Sequence, residues 1–560
     1  MRSLVAPRPS PFPSPRAQMR PRIFGVPVCP RACQAQVRAR LRSSSSSDPA
    51  CVCVGAGHLE TPCCRTSRGI AKNQTGQSGH VHTARQGSSL RSVVTVHESF
   101  GGQHRGISAP GTEKSMKPIR VAFAAFFLLL TALWLLADTL APSPFTYFSF
   151  RSVFVQYTGV LAIGAMSFAM VLAARPKWME SWLDGLDKMY RLHKWLGISA
   201  LVVGLVHWWW AKGTKWMVGW GWLARPERQP RGQMPELGAI ETWLRTQRGL
   251  AEGLGEWAFY AAVVLIVLAL WKRFPYRWFA KTHWWISVVY LVLVFHTIVL
   301  TNFEYWTQPI GWVVAALLAA GTGAALLSLF GLIGATRKAR GEIEEIIRYP
   351  ALKVIEVAIR LKDAVWRGHK PGQFAFVTSH KNEGAHPFTI ACAWNEQKRL
   401  VFIAKALGDF TEKLHEQLQV GMPVTVEGPY GCFTFDGDHP VQIWIGAGIG
   451  VTPFIARMKH LAIAPEQREI VLFHPTAVYD QTAIDKLTAD AKAANVRLVV
   501  LVDSRDGYLT GDRIRAAVPN WREASIWFCG PAKFGQILRA DFLAHGFPAE
   551  DFHQELFEMR

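Results

Sequence analysis

Between Arg120 and Ile333 the chain is a succession of apolar runs too long and too poor in charge for helices of a soluble core. Six of them approach the roughly 20 helical residues needed to cross a hydrocarbon layer about 30 Å thick. They lie near Val121–Leu140, Ser152–Ala174, Leu192–Trp210, Glu256–Trp271, Trp278–Leu300 and Ile310–Ile333. The fourth is short by strict count and is expected to begin inside Leu250–Gly255. Helix is the required form, because an unpaired backbone amide in lipid costs several kcal/mol.

Basic residues at the span ends give an orientation. Lys117 and Arg120 precede the first span; Arg175 and Lys177 follow the second; Lys188, Arg191 and Lys194 open the third. Lys272, Arg273, Arg277 and Lys281 fill the link between spans four and five, and Arg337, Lys338 and Arg340 follow the sixth. All these ends fall on one side, which the positive-inside bias makes cytoplasmic. The loop after span three is basic too (Lys212, Lys215, Arg225, Arg228, Arg231), but it is long and carries Glu227, Glu236 and Glu241.

The net charge of +21 would suggest a nucleic-acid partner if it were gathered on one folded face. It is not. Residues 1–115 hold 14 Arg and 2 Lys against 4 acidic residues, and most of the remainder flanks the apolar runs. The same leader holds Cys29, Cys33, Cys51, Cys53, Cys63 and Cys64, the run Ser43–Ser47 and many prolines, with no sustained periodicity. Its cysteines lack paired C-x2-C spacing. A disordered extension is expected, or upstream sequence read from an early start codon, with Met116 as the natural start; an Arg- and Ser-rich transit peptide is the lesser alternative.

Histidine within a span suggests function. Spans three and five carry two each: His193 and His207 on one, His283 and His296 on the other. The members of each pair are 14 and 13 residues apart, roughly 20 Å along a helix axis. With the two spans parallel, His193 can face His283 at one level and His207 can face His296 at another. Two opposed imidazoles are what a six-coordinate haem iron takes. A spacing of 14 returns to within about 40° of the starting face, but 13 leaves about 140°. Span five is therefore expected to bend, to carry a π-bulge or to cross its neighbour at a tilt.

After Arg340 the hydropathy falls. Short alternating runs at Val354–Ile359, Phe374–Val377 and Leu400–Ile403, separated by Gly368 and Pro371-Gly372, predict a small antiparallel β-barrel. From Val441 onward, apolar strands at Ile443–Ile445, Ile470–Phe473, Leu498–Val502 and Ile526–Phe528 alternate with helical stretches, which predicts a doubly wound parallel α/β domain. The first of these strands runs into Gly446-Ala447-Gly448-Ile449-Gly450-Val451-Thr452-Pro453-Phe454. Such glycines admit a pyrophosphate, and the following helix N-terminus supplies amide donors. In order along the chain stand His386-Pro387-Phe388-Thr389, Glu427-Gly428-Pro429-Tyr430-Gly431, the glycine turn, and Phe528-Cys529-Gly530-Pro531.

With the histidine spacing, that ordered set resembles the NADPH oxidase and ferric reductase superfamily, over nearly all of Met116–Arg560. The resemblance implies an all-α six-helix haem domain (116–340), a FAD-binding β-barrel (345–437) and an NAD(P)-binding domain (438–560). It implies two b-type haems, on His193/His283 and His207/His296. His386, Pro387, Phe388 and Thr389 would line the FAD, with Thr389 near the flavin ring; Lys405, Gly408, Asp409 and Thr411 would meet its pyrophosphate. Gly446, Gly448, Gly450, Thr452 and Pro453 would hold the dinucleotide phosphates, with Cys529, Gly530 and Pro531 near the nicotinamide. Phe557 resembles the terminal aromatic that covers the flavin, though three residues follow it here. Ser504-Arg505, after the Leu498–Val502 strand, could bind a ribose 2′-phosphate, which favours NADPH over NADH.

The function implied is electron transfer from NAD(P)H through FAD and two haems to an extracytoplasmic acceptor: oxygen, giving superoxide, or a ferric chelate. A bacterial inner membrane with the soluble domains cytoplasmic is the expected setting. No calcium loop of the D-x-[DN]-x-[DN]-G type is present, and no obligatory activating subunit is expected. Two other classes fit parts of the chain: a haem-binding subunit fed by a partner, and a transporter with a nucleotide-sensing tail. The flavin and nicotinamide motifs weigh against the first, and bound low-spin haem would exclude the second.

Overall fold

The computed structural model describes residues 117–224, 238–380 and 384–555, with side chains for all of these but Lys117 and Asp409. The leader, Met116, Arg225, Glu227, Arg228, Arg231, Glu236 and Phe557 lie outside the described residues.

Helices account for the first part: α1 (Lys117–Ala137), α2 (Tyr147–Ala173), α3 (Lys177–Trp182), α4 (Leu186–Trp208), α5 (Thr214–Gly219), α6 (Ala239–Thr246), α7 (Arg248–Leu270), α8 (Tyr276–Trp284), α9 (Ile286–Leu300) and α10 (Pro309–Leu329). Among the described residues, five stretches are long and apolar enough to cross a membrane: Pro118–Ala137, Tyr147–Ala173, Arg248–Leu270, Tyr276–Leu300 and Pro309–Leu329. The sequence suggested six. The other candidate is α4, which has the length of a span but includes Asp187, Lys188, Arg191, His193, Lys194 and His207 and is correspondingly more polar. The fourth stretch starts earlier than its apolar run, at Arg248.

Small residues let these helices approach. A Cβ on Gly321 of α10 would lie 2.1 Å from the Tyr290 hydroxyl, which hydrogen-bonds Ser167 at 2.8 Å. Leu128, Leu136, Val264 and Trp257 point outward and exposed, as side chains facing lipid do.

The stretch holding His283 and His296 is broken at Trp285, between α8 and α9. There Trp285 N–H bonds the Thr282 carbonyl at 3.1 Å and Val288 N–H the Trp285 carbonyl at 3.0 Å, both three residues back. Such a turn winds at about 120° per residue instead of about 100°. Over three or four residues it recovers roughly 60–80° of the 140° mismatch. A π-helical turn, Trp209–Gly213, follows α4 directly beyond His207.

The polar part opens with β1 (Lys338–Tyr349), which begins before Arg340. It continues with β2 (Val354–Leu361), β3 (Phe374–Thr378), β4 (His386–Thr389), β5 (Arg399–Lys405), α11 (Asp409–Gln417) and β6 (Pro423–Tyr430). These strands form one antiparallel sheet in the order β4-β3-β6-β1-β2-β5. Its two ends meet at an isolated bridge, Ile390 to Phe402, instead of the continuous ladder of a closed barrel.

The last part alternates β7 (Val441–Gly446), α12 (Thr452–Leu461), β8 (Glu469–Thr476), α13 (Gln481–Ala493), β9 (Arg497–Val502), α14 (Asp503–Asp506), α15 (Gly511–Ala517), β10 (Ala524–Cys529), α16 (Ala532–Ala544) and β11 (Phe552–Gln554). The sheet is parallel, β11-β10-β7-β8-β9. Every residue of β7 and β10 is buried, as expected for central strands covered on both faces. The strand order reverses between β7 and β10, which makes that junction the switch point.

A buried polar junction ties the antiparallel sheet to the helical part. Arg175, just past α2, pairs with Glu427 of β6 at 2.5 Å and lies 4.2 Å over the Phe376 ring. Glu427 also accepts from the Tyr430 hydroxyl at 2.7 Å. Glu180 of α3 pairs with Arg337 at 3.5 Å and accepts from the Gly431 amide at 2.8 Å. Gly334, at φ +68, is the one residue type that fits beside this site, because a Cβ there would come within 2.1 Å of the Glu427 carboxylate.

Candidate functional site

The four span histidines form two facing couples. The ring centroids of His193 and His283 are 5.9 Å apart with planes at 73°; those of His207 and His296 are 6.4 Å apart at 81°. An imidazole nitrogen binds a metal at about 2 Å, so an ion held between two such rings leaves their centres about 6 Å apart.

The outer nitrogens support this arrangement. His193 Nδ1 donates to the Ala169 carbonyl at 2.8 Å, His207 Nδ1 to Val155 at 3.1 Å and His296 Nδ1 to Ala251 at 2.9 Å. A carbonyl oxygen can only accept, so the proton sits on Nδ1 and Nε2 keeps its lone pair. His283 Nδ1 has no hydrogen-bond partner among the described residues. Two glycines make room for the rings. A Cβ on Gly255 would lie 2.0 Å from His296 Nδ1, and one on Gly159 would lie 3.2 Å from His207 Cε1. Among the described residues no group of three or more His, Cys, Asp or Glu is arranged to hold a metal ion by itself. Two imidazoles per site suit a metal whose other ligands belong to a macrocycle, so the residues present fit haem.

Toward the antiparallel sheet, β4 carries His386, Pro387, Phe388 and Thr389, and Thr389 is buried. The His386 ring stacks on Phe410 with centroids 3.8 Å apart and planes at 7°. Thr411 Oγ1 accepts from the Leu407 and Gly408 amides at 2.9 and 3.1 Å, shaping the start of α11. Lys405 and Gly448 line a common cleft of about 110 Å³ between the two sheets, together with Val451 and Thr476.

At the switch point the two predicted turns meet. Ala447 N–H bonds the Cys529 carbonyl at 3.0 Å, and a Cβ on Gly450 would come within 2.2 Å of the same oxygen. A Cβ on Gly530 would meet Ala447 at 2.7 Å. Gly448 has φ +55 and open space where a side chain would stand. Gly446 accepts from His474 Nδ1 at 2.7 Å; Thr452 and Pro453 start α12, with the Thr452 hydroxyl bonded to the Ile449 carbonyl at 2.8 Å. Pro531 caps α16.

Cys529 is buried, and burial with the neighbouring Glu555 drives its pKa well up, so it is a neutral thiol. Glu555 is itself pushed well above the carboxylate range, by burial and then by Asp187. Ser504 and Arg505 lie on α14 after β9, where the Arg505 guanidinium is paired with Asp506 at 3.0 Å and lies 5.7 Å over Tyr479.

Sequence patterns did not single out Gly255, Glu180, Glu555, Tyr276 or Phe279, and they read Arg175 only as a basic flank of a span. Only the helical spacing of Tyr276 and Phe279 ahead of His283 could have drawn notice. A cavity of about 470 Å³ lined by Asp187, Lys188, Cys432, Trp527, His553 and Glu555 was likewise unforeseen.

Residues 158–294 match the family described as "Ferric reductase like transmembrane component", and residues 345–434 match the family described as "FAD-binding domain". The chain is 24% identical over 204 residues to a flavohemoprotein of Xylella fastidiosa, covering 34% of this chain and 51% of that protein. It is 28% identical over 200 residues to an NADPH oxidoreductase of Mycobacterium tuberculosis, covering 34% and 52%. Over 92 residues it is 37% identical to Ferric reduction oxidase 5 of Arabidopsis thaliana, covering 16% and 13%. The chain thus spans about half the length of the first two of these relatives.

Proposed function

Because the chain belongs to the NADPH oxidase and ferric reductase superfamily and is a membrane oxidoreductase with a FAD-binding domain, we propose that it carries electrons from NADPH across the bilayer to an external acceptor. The two facing imidazole couples carry this reading, since nothing in a reductase confined to one side of the membrane would need them. When bound, FAD takes two electrons as hydride and gives them up singly, and each of two b-type haems passes one at a time.

The residues divide that work by position. Gly448 leaves backbone room for a pyrophosphate, Gly446 and Gly450 let the turn pack closely on Val451 and the Cys529 carbonyl, and Thr452, Pro453 and the α12 amides stand behind them. Cys529, Gly530 and Pro531 close the same switch point around the nicotinamide, and the neutral Cys529 thiol offers a dry contact and no nucleophile. Thr389, Phe388, Pro387 and His386 line the flavin, and Lys405, Gly408, Asp409 and Thr411 face its pyrophosphate. His193 and His283 hold the inner haem, His207 and His296 the outer one. Ser504 and Arg505 select the 2′-phosphate of NADPH over NADH, and Phe557 covers the flavin. The basic span ends support a cytoplasmic side for the FAD and NAD(P) domains, and a bacterial inner membrane is the setting proposed.

Oxygen is the favoured acceptor, giving superoxide. A ferric chelate is the second reading, favoured by the likeness to Ferric reduction oxidase 5. Purified protein in liposomes, supplied with NADPH and no activating subunit, should reduce cytochrome c on the opposite side of the membrane in a manner that superoxide dismutase abolishes. Dismutase-insensitive reduction of an external ferric chelate would establish iron as the acceptor. Strict dependence on an added protein would refute autonomy.

A further inference from the structure

The helix that holds the inner imidazole also reaches the flavin-binding strand. Tyr276, Phe279 and His283 stand at i, i+3 and i+7 on α8, hence on one face. Their rings follow one another: Tyr276 to Phe279 at 5.8 Å, and Phe279 to His283 at 5.1 Å with planes at 24°. At the other end Tyr276 lies 5.0 Å from His386, which is stacked on Phe410, and its hydroxyl donates to the Ala385 carbonyl at 3.4 Å.

An aromatic stripe on a helix usually belongs to a core. This one lies outside the buried apolar clusters, none of which includes Tyr276 or Phe279. Its two ends are the flavin motif and an inner haem ligand.

The geometry points to Tyr276 and Phe279 as a positioning bridge that holds the flavin edge of β4 against α8 and fills the path by which electrons reach the His193/His283 couple. This rests on the electron route proposed above. The rings undergo no net change. One electron leaves reduced flavin, one ferric haem iron gains it, the flavin's proton goes to solvent, and no bond to either ring forms or breaks. Tunnelling through contiguous packed atoms decays less steeply than across a gap, so removing a ring should slow this step alone.

The test uses the full chain in nanodiscs, without oxygen, with Tyr276→Ala, Phe279→Ala and the ring-preserving Tyr276→Phe and Phe279→Tyr. Three quantities are read: the low-spin haem spectrum before any turnover, flavin bleaching by NADPH, and the haem reduction that follows. The alanine variants should keep the spectrum and the bleaching rate yet reduce haem measurably more slowly than the native chain. The ring-preserving variants should recover the native rate. Haem reduction at the native rate in both alanine variants would overturn the bridge, as would an equal slowing of bleaching. Loss of the low-spin spectrum in the alanine variants would also overturn it, making the rings supports of the haem site. Wild-type protein that binds no haem, or bleaches its flavin without reducing haem, would refute the electron route itself.

Discussion

At the scale of single residues the haem reading depends on space as much as on ligands. The four histidines stand out in the sequence because imidazole is out of place in lipid. Gly255 does not, since a glycine in an apolar helix has many uses. Its role follows from tertiary contact: a Cβ there would overlap His296, whereas one on Gly253 would meet nothing within 4 Å. Gly255→Ala is therefore expected to halve the haem content measured as pyridine haemochrome and to leave the His193/His283 haem, while Gly253→Ala keeps both. The buried Glu555 was equally illegible, because its pKa is set by burial in the folded chain and then by Asp187, distant in sequence. Its raised pKa means the fold favours the neutral acid. The stability this gives is complete below the ordinary carboxylate pKa of about 4.3 and is lost as pH rises from there toward the folded value. Thermal unfolding should find Glu555→Gln equal to wild type at pH 4 and more stable than wild type at pH 9.

At the scale of elements the strands were the most legible. Each apolar run named after Arg340 lies within a strand, because period-2 and buried-strand patterns are local. The spacing of 13 residues between His283 and His296 also carried information, since it required a departure from a straight helix. The tightened turn at Trp285 lies between the two histidines and winds in the direction that reduces the mismatch. What sequence could not give was the partner of each element's end. Arg175 reads as a basic flank of a span, yet it is half-buried and paired with the buried Glu427, more than 250 positions away in the chain. Breaking a buried ion pair by removing one member costs about 3–5 kcal/mol, and neutralising both costs much less. Amide exchange in Glu427–Gly431 should therefore accelerate strongly in Arg175→Met and return most of the way in Arg175→Met/Glu427→Gln.

In the whole molecule a polar junction and one shared helix face join a helical part with two imidazole couples to a flavin and nucleotide part. The order of parts was legible because membrane spans, short alternating strands and a glycine turn have distinct local signatures. Their docking was not, since it depends on a few charges and rings that sequence alone does not pair. The most direct test is one anaerobic absorbance record of the purified full chain as NADPH is added. Two low-spin b-type haems per chain are expected, with the flavin bleaching first and both haems reduced after it. A chain that binds no haem, or a flavin that bleaches while the haems stay ferric, would contradict the electron route.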